Sequence, residues 1–258
     1  MIRPVRASGL EGARFSVGTL SVIPVRVSRV DREVARAGML WAPAVGLLLG
    51  LLQAALFAAV REMTDAAALA AALAVAAGGL LTRGLHLDGL ADVADGLGSG
   101  RPAEGALEIM RRSDIGPFGV VTLVCTLLIQ VTAVAAADGH GHGVAAMVIA
   151  AATGRLALPW ACRSGVPAAR PDGLGAAVAG TVPWPAAAAV TGITAAGGLA
   201  VGLAAGSPAL AVAVPAGLAA AALFRRHLLR RLGGITGDVL GALVETATTV
   251  ALIAGALA

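Results

Sequence analysis

Three aspartates within eight residues, Asp88, Asp92 and Asp95, are the densest chemistry in a chain with only 15 acidic residues in 258. Their i, i+4, i+7 spacing places them within about 60° of one another on one face of an α-helix. Like charges so arranged repel and oppose the helix, a cost that a cation between them would remove. Hard oxygen donors at helical spacing suit Mg²⁺, which takes one or two carboxylates and fills its remaining positions with water and phosphate. The competing reading is a solvated acidic loop beside a membrane. Gly89 and Gly96 lie in or beside the same helix. Lacking side chains, they admit a bulky ligand close to the backbone, or Gly96 ends the helix as its cap. His86, just before the cluster, either touches substrate or is structural.

Two further segments carry chemistry. Glu108-Ile109-Met110-Arg111-Arg112-Ser113-Asp114 closes a helix expected from Pro102 to about Ser113. Arg111, Arg112 and Ser113 are donors for phosphate, or the arginines anchor the segment at a membrane surface. Asp114 is read as a cap for the span that follows rather than as an additional ligand. The run Gly233-Gly234-Ile235-Thr236-Gly237-Asp238 opens an apolar helix, where free backbone N–H groups face an anion. Asp238 either joins the acidic site or caps that helix. Glu245, seven residues on, lies two turns into an apolar segment and needs a partner. Arg155 sits inside another, where a buried arginine is a functional candidate unless it snorkels to the interface.

The elements that position these residues are membrane spans. Hydrophobic residues make up 58% of the chain and charged residues 13%, against about 25% charged in a soluble domain. Seven apolar runs approach the length that crosses a bilayer core of about 30 Å: 38–60, 66–81, 115–137, 144–161, 184–204, 209–224 and 239–257. The second and sixth are short enough to be tilted or partly re-entrant. The expected fold is therefore all-α, a polytopic helical bundle with an Asp-rich helical loop, forming one domain over 1–258. All 19 basic residues are arginines, and Arg61 alone falls in the loops opposite the aspartates. By the positive-inside rule the N-terminus and the 82–114 loop are cytoplasmic. Residues 1–37, with Arg3, Arg6 and five more arginines, lack the pattern of a signal peptide and read as an interfacial segment. Cys125 and Cys162 fall in spans and read as buried free thiols. His140 and His142 fall in an outer loop and carry no role. Aromatics at 3% give no base-stacking surface, so nucleic acid is not expected as a partner. Small residues let helices approach closely and permit a homo-oligomer without specifying one.

Clustered carboxylates, arginines and a glycine-rich turn at one membrane face suit cleavage of a phosphoanhydride with transfer to an alcohol. Three stretches, Gly84 to Gly96, Leu107 to Arg111 and Thr236 to Ala242, closely resemble the cobalamin synthase family. Ile23-Pro24-Val25, Pro43, Gly46 and Gly154-Arg155 extend the likeness in the same order. The resemblance implies a Mg²⁺-dependent enzyme of the inner membrane, its active site facing the cytoplasm. Such an enzyme joins adenosylcobinamide-GDP to α-ribazole or its 5′-phosphate and releases GMP. It implies Asp88, Asp92 and Asp95 as catalytic metal ligands, completed by Asp238. His86, Glu108, Arg111, Ser113, Arg155 and Thr236 would contact substrate. The family often shows Met-Arg-Asp-Ser-Arg where this chain has Met110-Arg111-Arg112-Ser113-Asp114, so roles for Arg112 and Asp114 stay open. A CDP-alcohol phosphotransferase is the nearer rival, but Asp88-Gly89 leads to Ala91-Asp92 rather than to the Ala-Arg its pattern needs. An ion-coupled transporter would place charges near the middle of several spans, and only Arg155 and Glu245 do so.

Overall fold

The computed structural model describes residues 8–257. Among the described residues eleven helices follow in order: α1 (Gly9–Leu20), α2 (Arg32–Met63), α3 (Ala67–Leu81), α4 (Leu85–Gly98), α5 (Ala103–Ile109), α6 (Pro117–Gly139), α7 (Gly143–Ala161), α8 (Gly173–Val178), α9 (Trp184–Ala204), α10 (Pro208–Leu232) and α11 (Gly237–Ala256). There is no strand among them, and two isolated bridges join loops. Helices α2, α6, α7, α9, α10 and α11 are each long and apolar enough to cross a membrane. Counting the bent pair α3 and α4 as one broken span brings the number to seven, the number expected from hydropathy, which assigns 66–81 alone to the second span.

Helix α3 has 15 residues, about 22 Å of rise, which is short for a bilayer core. It breaks from α4 at an angle of 89°. Arg83 (φ 57°) and Gly84 (φ 70°) take left-handed backbone at the break. There the amides of Arg83 and Gly84 donate back to Leu80 O and Gly79 O at 3.0 and 2.8 Å, closing α3. A left-handed conformation costs a non-glycine residue about 1–2 kcal/mol. That cost is offset because the turn swings the aspartate helix almost perpendicular to the span before it.

The sixth apolar run is part of a longer helix. Its helix runs 25 residues, with Arg225, Arg226, Arg230 and Arg231 inside it rather than in a loop. Charge ends a membrane-spanning stretch, but arginine is a good helix former, so the helix continues past the apolar run. The helix expected from Pro102 instead stops at Ile109, and residues 111–116 form an irregular link to α6. Cys125 is exposed on α6 while Cys162 is buried, so only the second thiol is a core group.

Helices α7 and α11 form the centre of the bundle, and missing side chains let their neighbours reach them. A Cβ at Gly46 of α2 would stand 2.5 Å from Ala151 O, and one at Gly217 of α10 2.6 Å from Ala247 O. Such small-residue contacts bring membrane helices together where lipid supplies no hydrophobic drive. Helix α1 docks on α2 through Phe15, which is 5% exposed and seated against Gly38. The described part of the N-terminal segment is thus packed on the bundle; Arg3 and Arg6 lie outside the described residues. At the opposite face Arg61 Nε donates to Asp138 Oδ2 at 2.8 Å, so the one arginine of that face among the described residues is neutralised.

Candidate active site

The acidic helix is real, and its face is split between two tasks. Asp95 does not face the site. Its two carboxylate oxygens accept from the amides of Gly116 and Gly119, at 2.7 and 2.9 Å. These amides belong to the first turn of α6, whose own cap residue, Gly116, has no side chain to offer. Asp95 therefore caps α6 from another helix, the task expected of Asp114, which is exposed and makes no cap contact. A Cβ at Gly119 would stand 2.5 Å from Asp95 Oδ2, so a side chain there would displace the capping carboxylate. Asp95→Ala should cost about 2 kcal/mol, the upper range for a lost cap, read as a lower unfolding temperature of the purified protein.

Asp88 and Asp92 face the start of α11. Gly89 makes the approach: a Cβ there would lie 2.7 Å from Asp238 O and 2.9 Å from Asp238 Cα. Gly241 answers from α11, where a Cβ would stand 3.1 Å from His86 Cα. The glycine gap of α4 thus admits a neighbouring backbone, not a ligand. Gly96 is likewise interior, against Met110 and Ala106 of the α5 region, and α4 continues past it to Gly98. Asp238 does not cap α11. Thr236 does, accepting from Val239 N at 3.2 Å, while its hydroxyl donates to Asp238 Oδ2 at 3.1 Å.

A pocket of ≈ 400 Å³ opens over this junction, its polar wall formed by Asp88, Arg111, Arg170, Asp172, Thr236 and Asp238. Arg170 and Asp172 were not singled out from sequence. Arg170 Nη1 lies 3.4 Å from Asp238 Oδ2, and its Nη2 donates to Leu107 O at 2.6 Å. Arg111 pairs with Asp172 at 3.0 Å across the mouth. The loop that carries Arg170 is pinned to the glycine-rich turn. Ile235 N donates to Pro167 O and Ala169 N to Ile235 O, each at 2.9 Å. Thus Ile235 N and Val239 N, two of the amides expected to be free for an anion, are engaged, and Arg170 supplies positive charge beside them.

Burial, reinforced by Asp238, Asp88 and Asp95 and opposed by Arg170, pushes the Asp92 carboxyl up to about 7. The unfolded carboxyl ionises near 4. The folded state keeps its proton longer, so metal-free protein loses stability as pH rises from about 4 to about 7, with the full loss above that. Asp92→Asn should therefore melt higher than the parent chain, by a margin that grows over this window and is constant above it. A thermal-melt series in metal-free buffer reads that margin.

The remaining candidates lie elsewhere. Glu108 and Ser113 are exposed and off the pocket wall, as is Arg112. His86 is 2% exposed and Arg155 4%. They meet each other inside the bundle, at 3.3 Å between Nδ1 and Nη2, instead of facing the pocket. Among the described residues no three His, Cys, Asp or Glu side chains converge tightly enough to cage an ion. Mg²⁺ needs no such cage: one or two carboxylates, water and phosphate suffice. Asp88 and Asp238 on one wall, with Asp92 beside them in a field that disfavours its charge, fit that requirement.

No solved structure is detectably similar to the chain. An adenosylcobinamide-GDP ribazoletransferase of Frankia casuarinae is 43% identical over 95% of this chain and 94% of its own length. One from Nocardioides sp. is 41% identical over 94% and 97%, and one from Pseudomonas aeruginosa 39% over 92% and 94%. The family model for cobalamin-5-phosphate synthase matches residues 12–256, every element from α1 to α11, and the chain belongs to that family.

Proposed function

We propose that this protein is a transferase of the inner membrane that joins adenosylcobinamide-GDP to α-ribazole, or to its 5′-phosphate, and releases GMP. The observation that carries the reading is the single pocket in which Asp88 of α4 and Asp238 of α11 share a wall with Arg111 and Arg170. The names of the relatives support the substrates. The arginine-rich ends of the helices around the pocket support a cytoplasmic orientation.

Asp88 and Asp238, with Asp92 beside them, would hold Mg²⁺, which when bound neutralises charge on the phosphates. Arg111 and Arg170 hold diphosphate oxygens, and the arginine fork suits that geometry. A ribazole hydroxyl forms a bond to the phosphorus that carries cobinamide, the bond from that phosphorus to the GMP oxygen breaks, and GMP leaves with the electron pair. The hydroxyl proton passes to a carboxylate of the cluster. Asp92, which stands among the carboxylates of Asp88 and Asp238, is the candidate base. Asp95 holds the aspartate helix against α6 rather than touching substrate.

The test is transfer by protein purified into nanodiscs, with adenosylcobinamide-GDP, α-ribazole and Mg²⁺, following cobalamin and GMP by chromatography. Equimolar products that stop with EDTA and return with excess Mg²⁺ are expected. No product from folded, Mg²⁺-replete protein with either ribazole form refutes the proposal. In the same assay Arg170→Gln should raise KM for adenosylcobinamide-GDP about 10- to 100-fold, the equivalent of one charge-assisted hydrogen bond. The KM for α-ribazole should change little.

A further inference from the structure

Beneath the carboxylate pocket the bundle holds a second polar cavity, lined by Gln53, Gln130, Arg155, Glu245 and Thr248 among apolar side chains. Arg155 lies six residues before the end of α7 and Glu245 eight after the start of α11, depths of about 9 and 12 Å. An unpaired charge in a span costs roughly 2.5–3.5 kcal/mol on insertion scales. Here the two opposite charges line one cavity without a direct ion pair between them. Gln130 Nε2 bridges Glu245 Oε2 at 2.8 Å and Thr249 Oγ1 at 2.9 Å. Arg155 Nη2 reaches His86 Nδ1 at 3.3 Å. Arginine only donates, so His86 Nδ1 accepts and its proton sits on Nε2. Arg155 Nε, His86 Nε2 and Thr248 Oγ1 are buried with no protein partner. Buried polar atoms of this kind are completed by internal water.

His86 is two residues before Asp88, and Glu245 is seven after Asp238. We propose that Arg155 is a positioning residue, bound to α4 through His86 and facing Glu245 of α11 across the shared cavity, that fixes the separation of the two carboxylate-bearing helices above it. Opposite charges buried together contribute little net stability over apolar side chains of similar size. What they give here is a directional tie between α4 and α11, which otherwise meet through the close glycine contacts of Gly89 and Gly241 and through an apolar core that includes Leu90, Val93, Val239 and Leu240. The inference rests on the reading of Asp88, Asp92 and Asp238 as the reacting site, but the tie between the helices is measurable without catalysis.

The experiment compares the full chain with Arg155→Gln in nanodiscs by three readouts. Amide exchange over residues 85–98 should quicken at least tenfold, while α2, α9 and α10 keep their protection. Mn²⁺, added alone and followed by electron paramagnetic resonance, should bind about tenfold more weakly. Turnover should fall about 10- to 100-fold, the range seen when outer-shell partners of metal ligands are removed, with both KM values within twofold. Arg155→Met combined with Glu245→Met leaves no lone charge and should fold, and it is expected to show the same three changes. Unchanged exchange in α4 overturns the inference. So does a raised KM at constant turnover, which would make Arg155 a substrate ligand. If the parent chain shows no transfer, the proposed reaction fails, and the exchange and Mn²⁺ arms still decide the role of Arg155.

Discussion

Asp88→Asn should lower turnover at least about 10³-fold and leave the unfolding temperature of metal-free protein unchanged or raised. The amide matches the carboxylate in shape and lacks its charge. The effect on stability follows from what surrounds Asp88, since its neighbours Asp92 and Asp238 are both acids that repel it. The effect on rate follows from its place. It is an exposed carboxylate on the pocket wall, in the first turn of α4, where it can meet a cation and the phosphates bound to it. Losing one preorganised electrostatic contact to a reacting group typically costs 10²–10³-fold. Weakened Mg²⁺ binding adds to that loss, so raising Mg²⁺ should recover only part of the rate. Turnover within tenfold of the parent chain would remove Asp88 from the chemistry.

Gly89→Val should be nearly as damaging through geometry alone. The side chain would be built against the backbone of Asp238, 2.7 Å from its carbonyl oxygen, and backbone cannot step aside as a flexible side chain can. Helices α4 and α11 must separate, at about 1–3 kcal/mol for overpacking. Separation moves Asp88 and Asp92 away from Asp238, and a misplacement of about 1 Å is worth some 10²-fold in rate. Gly241→Ala is the graded companion. Its Cβ would meet His86 at 3.1 Å, and about a tenfold loss is expected. Equal, near-parental turnover in both variants would show that the approach of α4 to α11 does not set the site.

The difference between these two residues shows what a sequence can disclose. Asp88 was legible because its message is local: i, i+4, i+7 spacing fixes a face whatever surrounds the helix. The spans were legible for the same reason, since length and hydropathy are properties of a segment. Asp95 shares the face of Asp88, yet its oxygens turn to the start of α6. Nothing in helical periodicity distinguishes a carboxylate that meets solvent from one that meets another helix. Arg170 reads from sequence as an ordinary positive-inside loop charge, and Asp172 belongs to no pattern of its own. They join the pocket only because a short backbone bridge pins residues 167–169 to Ile235. An Arg-Pro-Asp-Gly turn just after a span was the one available signal. Arg155 was visible as a costly residue, but hydropathy gives depth without direction, and its side chain turns inward to His86.

The docking of Asp95 on α6 also has a consequence in time. Asp238 is made 143 residues after Asp95, roughly 7–30 s later at 5–20 residues per second. Throughout that interval the nascent chain carries Asp88 and Asp92 without the helix that completes their pocket. The amides that secure Asp95 come only 21 and 24 residues behind it, so the aspartate helix can be moored almost as soon as α6 enters the bilayer. The groove at Gly89 then waits, preformed, for α11. Metal competence should accordingly arise late and abruptly during synthesis, with the arrival of α11 and not with the acidic segment itself.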